Sequence, residues 1–183
     1  MSNDSLQAYQ KEDETREMDE LNKPLLIGTF AMMTTLFIPY WFIWGFGEIE
    51  LLFLIKLAAG YIMFIILHEI LHLVGYLFFG KAKLSEVKLG VLWKQLTPYA
   101  HCKIPLRIKA YRISVMLPVV LGILPLLYAF INGDDYWFSI GLFMTIGSLG
   151  DFIILWLLRK YPSEVYVQDH VSKIGCIVYT PPS

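Results

Sequence analysis

The sequence predicts an all-α membrane protein: four transmembrane helices, with a small interfacial β-hairpin or sheet between the second and third helices and in the C-terminal tail. Three observations carry this. Of the 183 residues, 56% are hydrophobic and only 17% charged, and a mean hydropathy of +0.55 lies well outside the range of soluble domains. Four stretches are apolar over the roughly 20 residues that a helix needs to cross about 30 Å of hydrocarbon. Between the second and third of them the pattern changes from continuous to alternating, as strands require.

Taken in order, residues 1–24 form an acidic leader with seven acids and three bases, which reads as solvated and flexible. It lacks a basic segment followed by a cleavage pattern, so no signal peptide is expected. Residues 25–160 form one four-helix membrane domain. Its first span, about 25–46, carries no charge. The second, about 51–79, is interrupted only by Lys56 near its start and by the polar group HEILH at His68–His72. The third, about 113–131, is uncharged and contains Pro118 and Pro125, tolerable where neighbouring helices satisfy the freed carbonyls. The fourth, about 136–158, has Asp151 as its one charged residue. Residues 161–183 form a tail in which "VYVQDH" and "KIGCIVYTPP" read as two short strands, candidates to extend the hairpin sheet.

Charge sets the expected orientation. Between Gly80 and Arg112 there are eight Lys or Arg and one acid, Glu86, so the 80–112 loop is expected in the cytoplasm, and with it both termini. Cys102 and Cys176 then face a reducing compartment, and no disulfide is implied.

The chemistry starts at HEILH. Residues four apart on a helix lie one turn apart on nearly the same face, so the imidazoles of His68 and His72 can reach one ion. The intervening Glu69 is then placed to polarise water, which is the zincin arrangement. Three ionisable groups within five positions of a membrane span cost several kcal/mol together unless they meet partners, a cavity or a metal. A catalytic zinc site takes three protein ligands and leaves one position open. Asp151 lies eight residues before the basic end of its helix at Arg159, and His72 lies eight residues before Gly80; the two spans run in the same direction, so the side chains come out level. His68, His72 and Asp151 are therefore the expected metal ligands and Glu69 the expected catalytic residue. The alternative for Asp151 is a structural carboxylate bonded to Ser148 or Thr145. Gly147 and Gly150 would let this helix approach its neighbour closely.

At these residues the sequence resembles the site-2 protease class of intramembrane metalloproteases. "HEILHLVGYLFFG", "YAHCKIPLRIKAYRISVMLPVVLGILP", "GSLGDFIILWLLR" and "VQDHVSKIGCIVY" more specifically resemble a small bacterial zincin peptidase family of the domain-of-unknown-function type, from about Leu51 to Tyr179. The resemblance implies Zn2+ held by His68, His72 and Asp151, catalysis by Glu69, and a place in the bacterial cytoplasmic membrane. It implies as partners the lipid bilayer and a membrane-protein or peptide substrate, and no nucleic acid. The chain departs from the better-known site-2 proteases in reading "LGD" where they carry "LDG", and in lacking a PDZ domain. The competing class is a non-catalytic regulatory or immunity protein with a structural metal site. A transporter fits poorly, since the first and third spans hold no ionisable residue.

The 80–112 loop supplies the predicted hairpin. In "KLSEVKLGVLWK", Val87, Leu89, Val91 and Trp93 alternate onto one side, and "PYAHCKI" is the expected partner strand. Its edge could take an extended substrate by strand addition, or its lysines could meet anionic lipid. His101 and Cys102 are candidates to mask an open metal position, and Asp169 with His170 to orient a ligand from behind.

Overall fold

The computed structural model describes residues 8–92, 97–170 and 174–182. Strand β1 (Gln10–Arg16) leads into helix α1 (Met18–Trp44) and then α2 (Leu51–Phe78). Strands β2 (Val87–Leu92), β3 (Thr97–Cys102) and β4 (Leu106–Arg107) follow. Helices α3 (Ile108–Met116) and α4 (Val120–Asn132) are joined by a 3-10 turn at Leu117–Val119, and α5 (Asp135–Gly147) and α6 (Leu149–Leu158) by Ser148. Strands β5 (Tyr166–Asp169) and β6 (Ile174–Thr180) close the chain. Among the described residues, four helical stretches are long and apolar enough to cross a membrane: Asp19–Trp44, Leu51–Phe78, Ile108–Asn132 and Asp135–Leu158. The fold is thus mostly helical with small antiparallel sheets, as the sequence predicts.

The chain divides into two compact units. One contains Asn22–His68 and Pro118–Leu149. Its core is built on Tyr40, Leu126, Ala129, Phe138 and Leu142, with Phe64, Ile140 and Met144 beside them. Tyr40 stacks on Phe138 at 3.9 Å between ring centres and donates to Asp135 Oδ1 at 2.8 Å. The other Asp135 oxygen accepts from the Gly47 amide at 2.9 Å, so one carboxylate ties the end of α1 to the start of α5. Helices α4 and α5 meet backbone to backbone, because a Cβ on Gly141 would stand 2.8 Å from the Leu126 amide nitrogen and 2.9 Å from the Gly122 carbonyl oxygen. The sequence placed such an approach at Gly147 and Gly150. At Gly150 an added Cβ would meet nothing within 4 Å, and at Gly147 only the Tyr61 hydroxyl at 3.9 Å. Away from Tyr40, helix α1 exposes large apolar side chains such as Leu26, Phe30 and Phe42, which find a suitable environment in lipid.

The other unit contains Met1–Leu21, Glu69–Leu117 and Gly150–Ser183. Its antiparallel sheet runs β1-β6-β5-β4, and alternate residues Val165 and Val167, then Cys176 and Val178, bury one face against Ile108, Tyr111 and Leu158. Two expectations are corrected here. The leader is not flexible over its whole length: β1 pairs with β6 from Gln10↔Thr180 to Arg16↔Ile174. Its anchor is Glu14, 5% exposed, whose carboxylate takes Lys160 Nζ at 2.7 Å and the Tyr161 hydroxyl at 2.5 Å. The tail strands do not extend the hairpin sheet, since β1 takes one edge of β6 and β4 takes the free edge of β5. Strands β2 and β3 instead form a separate two-stranded sheet among the described residues, from Val87↔Cys102 to Leu92↔Thr97. Val87 is buried, whereas Leu89 and Val91 on the same face are exposed; Trp93 lies outside the described residues.

Candidate metal centre

Helix α2 is a predominantly apolar run without proline, and buried positions recur every four residues at Gly60, Phe64, His68, His72 and Tyr76, with Gly75 buried beside the last. That spacing is one helical stripe. Ile62, Ile66 and Phe78 lie on exposed faces. The two histidines therefore belong to the inward stripe of a helix whose other faces suit lipid. His68 is 9% and His72 7% exposed.

His72 Nε2 lies 3.4 Å from Asp151 Oδ1, so the two side chains matched in depth from the sequence stand together. His72 Nδ1 bonds the Ser114 carbonyl oxygen at 3.0 Å. A carbonyl only accepts, so Nδ1 carries a proton, which leaves Nε2, on the Asp151 side, as the nitrogen available to an ion. One turn earlier in the same helix, His68 completes a group in which one ligand atom from each of His68, His72 and Asp151 lies within 4.8 Å of the others. This is the one group of its kind among the described residues. Two imidazoles and a carboxylate are a zinc donor set, and these buried, converging donors fit that ion. Glu69, the next residue after His68, is partly buried. Ser148 and Thr145, the alternative partners considered for Asp151, turn their hydroxyls to backbone carbonyls four residues earlier, Met144 at 3.0 Å and Gly141 at 2.8 Å.

A family described as "Putative zincin peptidase" matches residues 61–166, a stretch that contains all four of these residues. The chain belongs to the putative zincin peptidase family. Membership points to a metallopeptidase and to zinc as its metal. An uncharacterized 24.7 kDa protein in the gap 5' region of Pyrococcus woesei is 34% identical over 118 residues, covering 62% of this chain and 50% of that protein. The chain thus spans about half the length of this curated relative. No solved structure matches it.

The remaining polar candidates have other work. Asp169 Oδ2 accepts from the Cys102 amide at 2.7 Å, its Oδ1 accepts from the Tyr111 hydroxyl at 2.6 Å, and His101 Nδ1 stands 3.9 Å from it. One carboxylate therefore joins the base of the hairpin, helix α3 and strand β5. Cys102 is fully buried, with its thiol toward the Ile104 carbonyl at 3.5 Å, and burial pushes that thiol up to about 11. It is a packed core residue rather than a masking ligand. The His170 amide donates to the Gly175 carbonyl in the β5–β6 turn. Sequence reading missed the Ser114 carbonyl, because every residue has one; the trace it leaves is a glycine, Gly75, three positions after His72.

Proposed function

We propose that this chain is a zinc-dependent intramembrane peptidase, of the site-2 protease kind, that hydrolyses a peptide bond in a membrane protein or membrane-associated peptide. The observation that carries the reading is the convergence of His68, His72 and Asp151 within 4.8 Å on helices apolar enough to cross a membrane. A structural zinc site fills four protein positions, whereas among the described residues this group supplies three, the number a catalytic zinc site takes. That feature favours catalysis over the regulatory or immunity reading.

His68, His72 and Asp151 would hold the ion. Bound zinc supplies Lewis acidity, which acidifies water and stabilises charge on a peptide carbonyl oxygen. Glu69 accepts the proton of the attacking water and delivers it to the leaving amine. His72 keeps its Nδ1 proton on the Ser114 carbonyl throughout, which holds the ring in one orientation. The substrate must arrive extended, since a helical backbone shields its carbonyls, and the two-stranded hairpin β2–β3 offers an edge to which an extended segment can add. The lysine-rich 80–112 segment supports a cytoplasmic orientation for this side of the membrane by the positive-inside rule. The test is a comparison of membrane proteins in cells carrying the wild type or Glu69→Gln. A membrane protein or peptide that accumulates uncleaved only with the variant is expected; identical membrane proteomes and full biological activity of Glu69→Gln would defeat the peptidase reading.

A further inference from the structure

The bond between His72 and the Ser114 carbonyl depends on two residues outside the ligand set. In a helix, the Ser114 oxygen would accept from the amide four positions on. That position is Pro118, which has no N–H. The sequence therefore leaves this carbonyl without its intrahelical donor, and a proline-freed carbonyl inside a membrane span must be satisfied by a neighbour. His72 Nδ1 is that neighbour, at 3.0 Å in a buried position.

The approach that makes this possible is close. A Cβ on Gly75 would stand 2.5 Å from Ser114 Cα and 2.7 Å from its Cβ, so the contact is backbone against backbone and has no slack. Ser114 is itself fully buried, and its hydroxyl donates back to the Ala110 carbonyl at 2.9 Å. The hydroxyl is thereby engaged within its own helix, and the carbonyl is what His72 meets. We propose that Gly75 and Pro118 are positioning residues of the metal centre: Gly75 admits the Ser114 backbone to His72, and Pro118 reserves the Ser114 carbonyl for His72 Nδ1. The ring is then held as the tautomer that presents Nε2 beside Asp151. This inference rests on the zinc reading above and adds to it a proline and a glycine that touch no metal.

Pro118→Ala tests it, because the alanine restores an amide that competes with His72 for the Ser114 oxygen. In the purified full chain, zinc affinity is read by chelator competition, the ligand field by the absorption of the cobalt-loaded protein, and stability by melting of the metal-free protein. Pro118→Ala is expected to weaken zinc binding by roughly 10–100-fold and to alter the cobalt spectrum. Its metal-free melting temperature should not fall, since the helix gains a hydrogen bond. Pro118→Ser restores the same amide and should behave alike. Gly75→Ala should weaken zinc binding in the same direction and melt lower. Pro125→Ala, the same change elsewhere in the span, should leave zinc affinity unaltered. Wild-type affinity and an unchanged cobalt spectrum in folded Pro118→Ala and Pro118→Ser would overturn the inference alone; a wild-type chain that takes up no zinc would overturn it together with the function on which it rests.

Discussion

Replacing Asp169 by alanine should detach the hairpin from the rest of its unit without touching a metal ligand. The carboxylate accepts from the Cys102 amide at 2.7 Å and the Tyr111 hydroxyl at 2.6 Å, and both donors are buried, Cys102 at 0% and Tyr111 at 1% exposed. A buried donor left without its acceptor costs about 1–3 kcal/mol, so the two together cost about 2–6 kcal/mol. For a chain of this length that corresponds to a fall in melting temperature of roughly 5–20 °C. Asp169→Asn keeps one acceptor oxygen and should lose only about 1–3 kcal/mol. The assay is thermal unfolding in detergent, paired with amide exchange of residues 97–102. Faster exchange there, with zinc binding retained wherever the chain stays folded, is the expected pattern. Wild-type melting and wild-type exchange in Asp169→Ala would refute the assignment of this carboxylate as the clamp.

Three further outcomes follow from the same geometry. Burial alone would raise the Glu14 carboxyl, but hydrogen bonds from Lys160 and Tyr161, with the charges of Lys160 and Arg16, hold it below the usual 4.5; its stabilisation of β1 is therefore present above that value and lost as pH falls through the lower folded one. Protection of the residue 10–16 amides, relative to their intrinsic exchange rate at each pH, should fall on acidification in the wild type but not in Glu14→Gln, and pH-independent protection in the wild type would contradict this. Burial pushes the Cys102 thiol up to about 11 and the Cys176 thiol up to about 12, so neither should react with a maleimide at neutral pH until the chain unfolds; rapid labelling of folded protein in mass spectrometry would count against the packing. Gly141→Ala drives a Cβ into the backbone of α4 and should cost about 1–3 kcal/mol, whereas Gly150→Ala, in open space, should be neutral; equal melting of the two variants would refute the contact.

Much of the architecture was legible because a membrane imposes few choices. An apolar run of sufficient length becomes a helix, and four such runs appear where the sequence puts them, although the third begins earlier, at Ile108. HEILH was legible from its four-residue spacing, and Asp151 from being the one charge in its span. The hairpin was legible from the alternation of Val87, Leu89 and Val91. Strand β1 was not, because "QKEDETR" has almost no apolar side chains to signal burial; its pairing comes from the exposed edge of β6 and from Lys160 and Tyr161, nearly 150 positions away. The same limit hid the role of Asp169, read from the sequence as a residue orienting a metal ligand, because its partners Cys102 and Tyr111 come from other elements. Glycine spacing misled at Gly147 and Gly150, since which small residue meets a neighbour depends on helix rotation, and here Gly75, Gly122 and Gly141 are among those in close contact.

The zinc content of the purified full chain, measured for the wild type beside Asp151→Ala and Glu69→Gln, tests the central claim most directly. The account predicts one zinc ion per wild-type chain, its loss or severe depletion in Asp151→Ala, and its retention in Glu69→Gln, which keeps all three ligands. A wild-type chain free of transition metal, or an Asp151→Ala chain that binds zinc as tightly as the wild type, would contradict it.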